Sequence, residues 1–250
     1  MFRPVAIDLY VVHGSHPCAA VERALEMKGL AFRRIELPPP LHAPVQQVLF
    51  RARTVPAARM ADGERISGSR AIMQRLDEIA PEPRLWPADP ERRALVERAE
   101  EWGEEVYQPI ARRLLWGALR RRPAALVSYA DGSRIPLPGP AIRAFAPAIV
   151  RAEVRLSGAS EGAVRADLRA LPRHLDRVDG WIADGVIGGP EPNAADFQLA
   201  PSIRLLMSFD DLRPFIDARP CGEMAKRIVT DFPGRTPPIF PAEWLEGLRT

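Results

Sequence analysis

The chain has 250 residues, room for one large domain or two small ones, and 46% of them are hydrophobic, enough for a sizeable core. Thirty-five Lys and Arg stand against 32 Asp and Glu, and a net charge of +3 gives no electrostatic case for nucleic acid or a membrane surface. Two widely separated cysteines, Cys18 and Cys221, make no disulfide framework, and neither belongs to a His/Cys cluster, so a reducing cytoplasm is expected and a metal site is not. The opening Met1-Phe2-Arg3-Pro4 runs into an apolar stretch carrying Asp8 and reads poorly as a signal peptide. No run approaches the roughly 20 apolar residues that span a bilayer.

Val5 to Val12 reads as a buried strand. Pro17 suits the first turn of a helix, where its missing N–H costs nothing, and Val21, Ala24 and Leu25 give that helix a buried stripe up to Lys28-Gly29. Ser15 and Cys18 therefore sit at a helix N-terminus, whose free N–H groups and partial positive charge favour an anion such as a thiolate. A second strand is expected over 31–37, stopped by Pro38-Pro39-Pro40, and a short irregular helix over 41–52. Asp62-Gly63 is a hairpin turn signal, so 55–60 and 64–67 pair antiparallel. Ser69 is placed as the cap of a helix over 70–79.

The proline-rich stretch 81–87 reads as an inter-domain linker. Beyond it strand alternation disappears. A long helix starts at Asp89-Pro90, kinks at Pro109 and ends at Arg120-Arg121-Arg122 as a solvated terminus. Residues 128–140 form a Pro/Gly-rich insertion without an assigned place. Helices follow over 141–156, bent at Pro147, and over 163–182. Asn193 and Asp196 have the spacing of a capping box for the next helix, with shorter helices after it.

The order βαβ, α, ββα, linker, helices resembles the glutathione transferase superfamily. Ser15-His16-Pro17-Cys18 resembles the S-x-P-C loop of its theta and delta types, and Arg53-Thr54-Val55-Pro56 its basic-x-V-P segment, where the proline is cis. Ser67 to Ile72 resembles its E-S-x-A-I motif, and Asn193 to Asp196 its helical-domain cap. The resemblance implies an α+β fold: a thioredoxin-like glutathione-binding domain over 1–84 and an all-helical domain over 89–250 that holds the electrophile site and dimer contacts. It implies a cytoplasmic homodimer that uses glutathione as cosubstrate and a small hydrophobic electrophile, in a detoxification role. Ser15 would donate its hydroxyl to the glutathione sulfur. A free thiol has a pKa of about 8.5, and a hydrogen bond with a helix N-terminus lowers it by roughly 2, about 2.7 kcal/mol.

By the same resemblance, Val55 before Pro56 would pair with the cysteinyl backbone and Ser69 hold the γ-glutamyl carboxylate, while Arg53 or His42 meets the glycyl carboxylate. One residue departs from the pattern: Gly68 stands where the family has Glu or Gln, which leaves the thiol open between glutathione and a related one. Cys18 is expected to be a buried packing residue, His16 a solvent-facing loop residue, and at least one of Trp102, Tyr107 and Trp116 a wall of the electrophile pocket. Two alternatives stand beside conjugation: thiol–disulfide exchange or glutathionyl-lyase chemistry at Cys18, and a non-catalytic ligand- or protein-binding module.

Overall fold

The computed structural model describes residues 7–39, 41–135 and 137–248. The Met1-to-Pro4 segment, the first two residues of the expected first strand, Pro40 and Pro136 lie outside it.

The chain opens with β1 (Ile7–Val11), α1 (His16–Met27) and β2 (Phe32–Glu36), continues through α2 (His42–Phe50), and completes the sheet with β3 (Ala57–Arg59), β4 (Arg65–Ser67) and α3 (Ser69–Ile79). Strand order is β2-β1-β3-β4. β1 and β2 run parallel, Ile7 facing Phe32, and β3 runs antiparallel to both β1 and β4. The apolar β1 residues Ile7, Leu9 and Val11 are buried, as a strand covered by helices requires. The hairpin turns at Gly63 with φ +93°, a conformation open to glycine, while Asp62 Oδ1 accepts the Glu64 N–H at 2.9 Å. The N-terminal part is thioredoxin-like.

A linker without regular structure leads to α4 (Pro90–Trp102), capped by Asp89, whose carboxylate accepts the Arg92 N–H at 2.8 Å. A π-turn over Gly103–Tyr107 joins it to α5 (Gln108–Arg121). That turn stands where a Pro109 kink is expected: Pro109 falls in the first turn of the resumed α-helix, and the wider turn before it accommodates the missing N–H. The rest is α6 (Leu126–Tyr129), α7 (Gly139–Ser157), α8 (Glu161–Ala183), α9 (Ala194–Met207), α10 (Arg213–Asp217) and α11 (Pro220–Ile228).

The helical part is built around α9, buried at every residue but Arg204. A helix that apolar on all sides belongs at the centre of a core, and α9 packs against α1, α4, α5 and α11, which ties the two parts together. Its start is the expected capping box. Asn193 Oδ1 accepts from the Ala195 and Asp196 N–H groups, and Asp196 accepts from the Asn193 and Gly188 N–H groups. Burial pushes the Asp196 carboxyl up to about 6.

The Pro/Gly-rich segment after α6 finds its place here. Ser133 Oγ donates to Glu36 at the end of β2, the Arg134 N–H donates to Glu36 Oε2 at 3.2 Å, and His13 Nε2 donates to the Asp131 carbonyl at 2.6 Å. Arg34 pairs with Glu36 from the other side. Burial pushes the Glu36 carboxyl up, but Ser133, Arg134 and Arg34 outweigh it and hold the group below the usual carboxylate range. The insertion is thus a strap from the helical part across to the sheet. Its root is set by Tyr129, whose hydroxyl bonds to Ser208 and Thr236 at 2.7 and 2.9 Å.

Candidate active site

Where β1 runs into α1, the chain faces α5 and α7 across a cavity of about 420 Å³. One wall comes from the first part: the loop 12–17, Leu37, His42 and 53–55. The other comes from Arg112, Leu115 and Trp116 on α5 and Ile142, Ile149 and Glu153 on α7, and the strap adds Ser133, Ile135 and Leu137. The exposed wall is mostly apolar with a few polar groups, the character of a small-molecule site.

Ser15 lies on this wall at the N-cap position of α1, in extended conformation with ψ 118°. Its side chain makes no capping hydrogen bond, so the hydroxyl is not consumed by the helix end it precedes. The Ser15 hydroxyl and the Val12 backbone stand beside the Cys18 sulfur. Cys18 itself is only 1% exposed and off the cavity wall, and burial pushes its thiol up to about 12 despite those two partners. Such a setting disfavours the thiolate, the form a nucleophilic cysteine needs.

Val55 also faces the cavity. Neither its N–H nor its C=O has a hydrogen-bond partner among the described residues, and its bond to Pro56 is cis. Pro56 itself is buried behind the wall and accepts the Gly68 N–H at 3.0 Å. Arg53 lines the mouth, exposed and without an ion pair among the described residues. His42 is on the wall with Nδ1 buried and unpartnered, and burial lowers its pKa. Of the two forms expected for it, the neutral donor is favoured over the cation.

Two expectations are corrected. Ser69 is not the cap of α3 but its first residue; Gly68 is the cap, at φ +97°, and Ser69 is 2% exposed with the Gln108 amide 3.5 Å from its hydroxyl. Neither residue lines the cavity. His16 is not solvent-facing: it is 4% exposed, because α1 packs on α9 and its Nδ1 meets Ser202 Oγ at 2.9 Å. Of the three aromatic candidates only Trp116 reaches the cavity; Tyr107 is fully buried and stacks on Trp102. Arg112, Glu153, His13 and Glu36 were missed by motif reading. For Arg112 a signal existed, since Arg112, Leu115 and Trp116 share one helical face at i, i+3, i+4.

Residues 9–84 match the family model of the glutathione S-transferase N-terminal domain. No curated protein sequence matches the chain significantly. Among solved structures, a glutathione S-transferase from Rhodospirillum rubrum F11 superposes with a TM-score of 0.60 at 20% identity, over 96% of this chain and 99% of that one. The beta-etherase LigF from Sphingobium sp. strain SYK-6 gives 0.61 at 18%, over 89% and 99%. A maleylacetoacetate isomerase from Anaeromyxobacter dehalogenans 2CP-1, solved with glutathione in its active site, gives 0.55 at 22%, over 91% of each chain. At these identities the likeness is one of fold.

Within the glutathione S-transferase fold, the departure at Gly68 has a conformational cause. A Cβ there would meet nothing within 4 Å, so space does not select glycine; the φ of +97° does. With ψ 141° as well, a glutamate at this position would have to adopt a backbone conformation that costs on the order of 1–3 kcal/mol.

Proposed function

We propose that this protein activates the thiol of glutathione, or of a closely related low-molecular-weight thiol, for attack on a small hydrophobic electrophile. The observation that carries the proposal is Ser15: a hydroxyl at a helix N-terminus, not engaged in capping, on the wall of an apolar cavity between the two parts of the fold. The open N–H and C=O of Val55 suit the extended backbone of a cysteinyl peptide, and Arg53 with neutral His42 suits a terminal carboxylate. The N-terminus of α3, behind Gly68 and Ser69, offers its first-turn N–H groups to the γ-glutamyl end.

In this reading the peptide thiol lies at Ser15, which donates a hydrogen bond to the sulfur as it loses its proton to solvent. The thiolate then forms a bond to the electrophilic carbon, and the leaving group departs with its electron pair or a double bond takes up the charge. Residues 1–84 serve the thiol and 89–250 the electrophile, in a cytoplasmic homodimer without a metal and with a detoxifying role. Light scattering on the purified protein tests the dimer.

The decisive experiment is conjugation of glutathione to 1-chloro-2,4-dinitrobenzene. Ser15→Ala lowers kcat/KM about a hundredfold, the loss expected for one donor aimed at developing charge, and Cys18→Ala retains conjugation. The opposite pattern assigns the chemistry to Cys18 and thiol exchange. Absence of thiol binding in calorimetry, with glutathione and other cellular thiols, leaves the binding-module reading.

A further inference from the structure

Among the described residues, Arg112 is the one cation on the helical wall of the cavity, and none of them neutralises it at contact distance. It makes no hydrogen bond or ion pair among the described residues, although it lies among Trp116, Leu115 and Ile149. Its neighbour Arg113, facing the other way, shows what α5 does with a structural arginine: Nε and a second guanidinium nitrogen grip Asp167 at 2.7 and 2.8 Å. Arg112 has no such carboxylate among the described residues.

The acid facing it is Glu153 on α7, and the two stand beyond ion-pair distance. Glu153 is 8% exposed, and its Oε1 is buried without a donor. Burial weighs on both groups, pulling the arginine's pKa down and pushing the glutamate's up, so charge is disfavoured on each. A cation without an acceptor and a carboxyl without a partner thus share a small, mostly apolar space. The other titratable groups near Arg112 supply no counter-charge either: His16 is buried with Nε2 unpartnered and held neutral, burial pushes the Cys18 thiol up to about 12, and Arg113 is itself a cation.

We propose that the electrophile is an anionic one, carrying a carboxylate or similar group that Arg112 pairs with while its apolar body lies against Trp116 and its reactive carbon faces Ser15. This rests on the reading of the cavity as an electrophile site. A carboxylate placed between Arg112 and Glu153 accepts from the guanidinium and, when Glu153 is protonated, from its O–H as well. Both unmet demands are then satisfied by one group. An uncharged hydrocarbon would leave Arg112 desolvated and unpaired, which the cavity penalises.

The test uses 4-chloro-3-nitrobenzoate and its methyl ester with glutathione. In each reaction the C–S bond forms at the ring carbon, C–Cl breaks, chloride leaves with its electron pair and the thiol proton goes to solvent. With each kcat/KM divided by that compound's uncatalysed rate with glutathione, because the ester is intrinsically the more reactive, the wild type is expected to favour the acid over the ester at least tenfold, mostly through KM. Arg112→Met collapses that ratio towards one, and Arg112→Lys restores part of it. An acid-to-ester ratio near one in the wild type, or a ratio unaltered in Arg112→Met, overturns the inference while dinitrobenzene conjugation still supports the transferase reading. If no electrophile is conjugated at all, calorimetry with unreactive 3-nitrobenzoate decides separately. Binding that Arg112→Met weakens about tenfold or more upholds the anion site, and binding that is absent or indifferent to Arg112 removes it.

Discussion

The side chain at the end of β1 separates two chemistries that the primary structure alone leaves side by side. Ser15 and Cys18 are three residues apart at one helix start, and a helix N-terminus activates whichever of them reaches solvent. Burial gives them different settings: Cys18 is sealed under α1, its thiol pushed up to about 12, whereas Ser15 faces the cavity. Alkylation of native protein by iodoacetamide should therefore leave Cys18 unmodified at neutral pH and reach it only after denaturation, as peptide mass spectrometry would show. A second residue-scale prediction concerns Glu100. Its side chain is fully buried, Arg70 Nε lies 2.8 Å away but out of line for a hydrogen bond, and burial pushes the carboxyl up to about 8. The folded chain thus keeps a proton that the unfolded chain releases near 4.5. That contribution to stability is whole below about pH 4.5 and is lost as pH rises through about 8, with a slope of at most about 1.4 kcal/mol per pH unit. Glu104, raised in the same direction, adds to it. In urea unfolding across that range, Glu100→Gln should flatten the decline; an unaltered slope would contradict it.

At the scale of elements, periodicity made most of the fold readable. Helices and strands with a buried stripe appear within a few residues of where hydrophobic spacing puts them, and the Asn193–Asp196 box has both its reciprocal bonds. Asp196→Ala removes two acceptors from a fully buried helix start and should cost about 3 kcal/mol in chemical unfolding. The strap after α6 was illegible for a physical reason. It has no repeat of apolar residues, and its position is fixed by Glu36 and His13, about a hundred residues earlier. His16 escaped for the same reason, since its partner Ser202 lies 186 residues away. If Glu36 holds the strap down, Glu36→Ala should speed tryptic cleavage after the exposed Arg134 roughly tenfold, the worth of one or two charged hydrogen bonds in local opening. Cleavage at the wild-type rate would show the strap to be anchored elsewhere.

For the molecule as a whole, the two parts have different tasks and the cavity belongs to both. The sheet-bearing part carries the glutathione S-transferase signature, and there the motif residues Ser15, His42, Arg53 and Val55 do converge on one wall. The other wall is less legible, because Arg112 and Glu153 come from two helices whose facing is set by packing rather than by any local pattern. The central claim is that the first wall binds a thiol peptide and that Ser15 holds its sulfur as a thiolate. The most direct measurement is a pH titration of the ultraviolet thiolate absorbance of bound glutathione, in the wild type and in Ser15→Ala. A thiolate is expected at neutral pH in the wild type, with the titration displaced upward, towards that of free glutathione, in the variant. Bound glutathione that titrates identically in both proteins, or no bound glutathione at all, would contradict it.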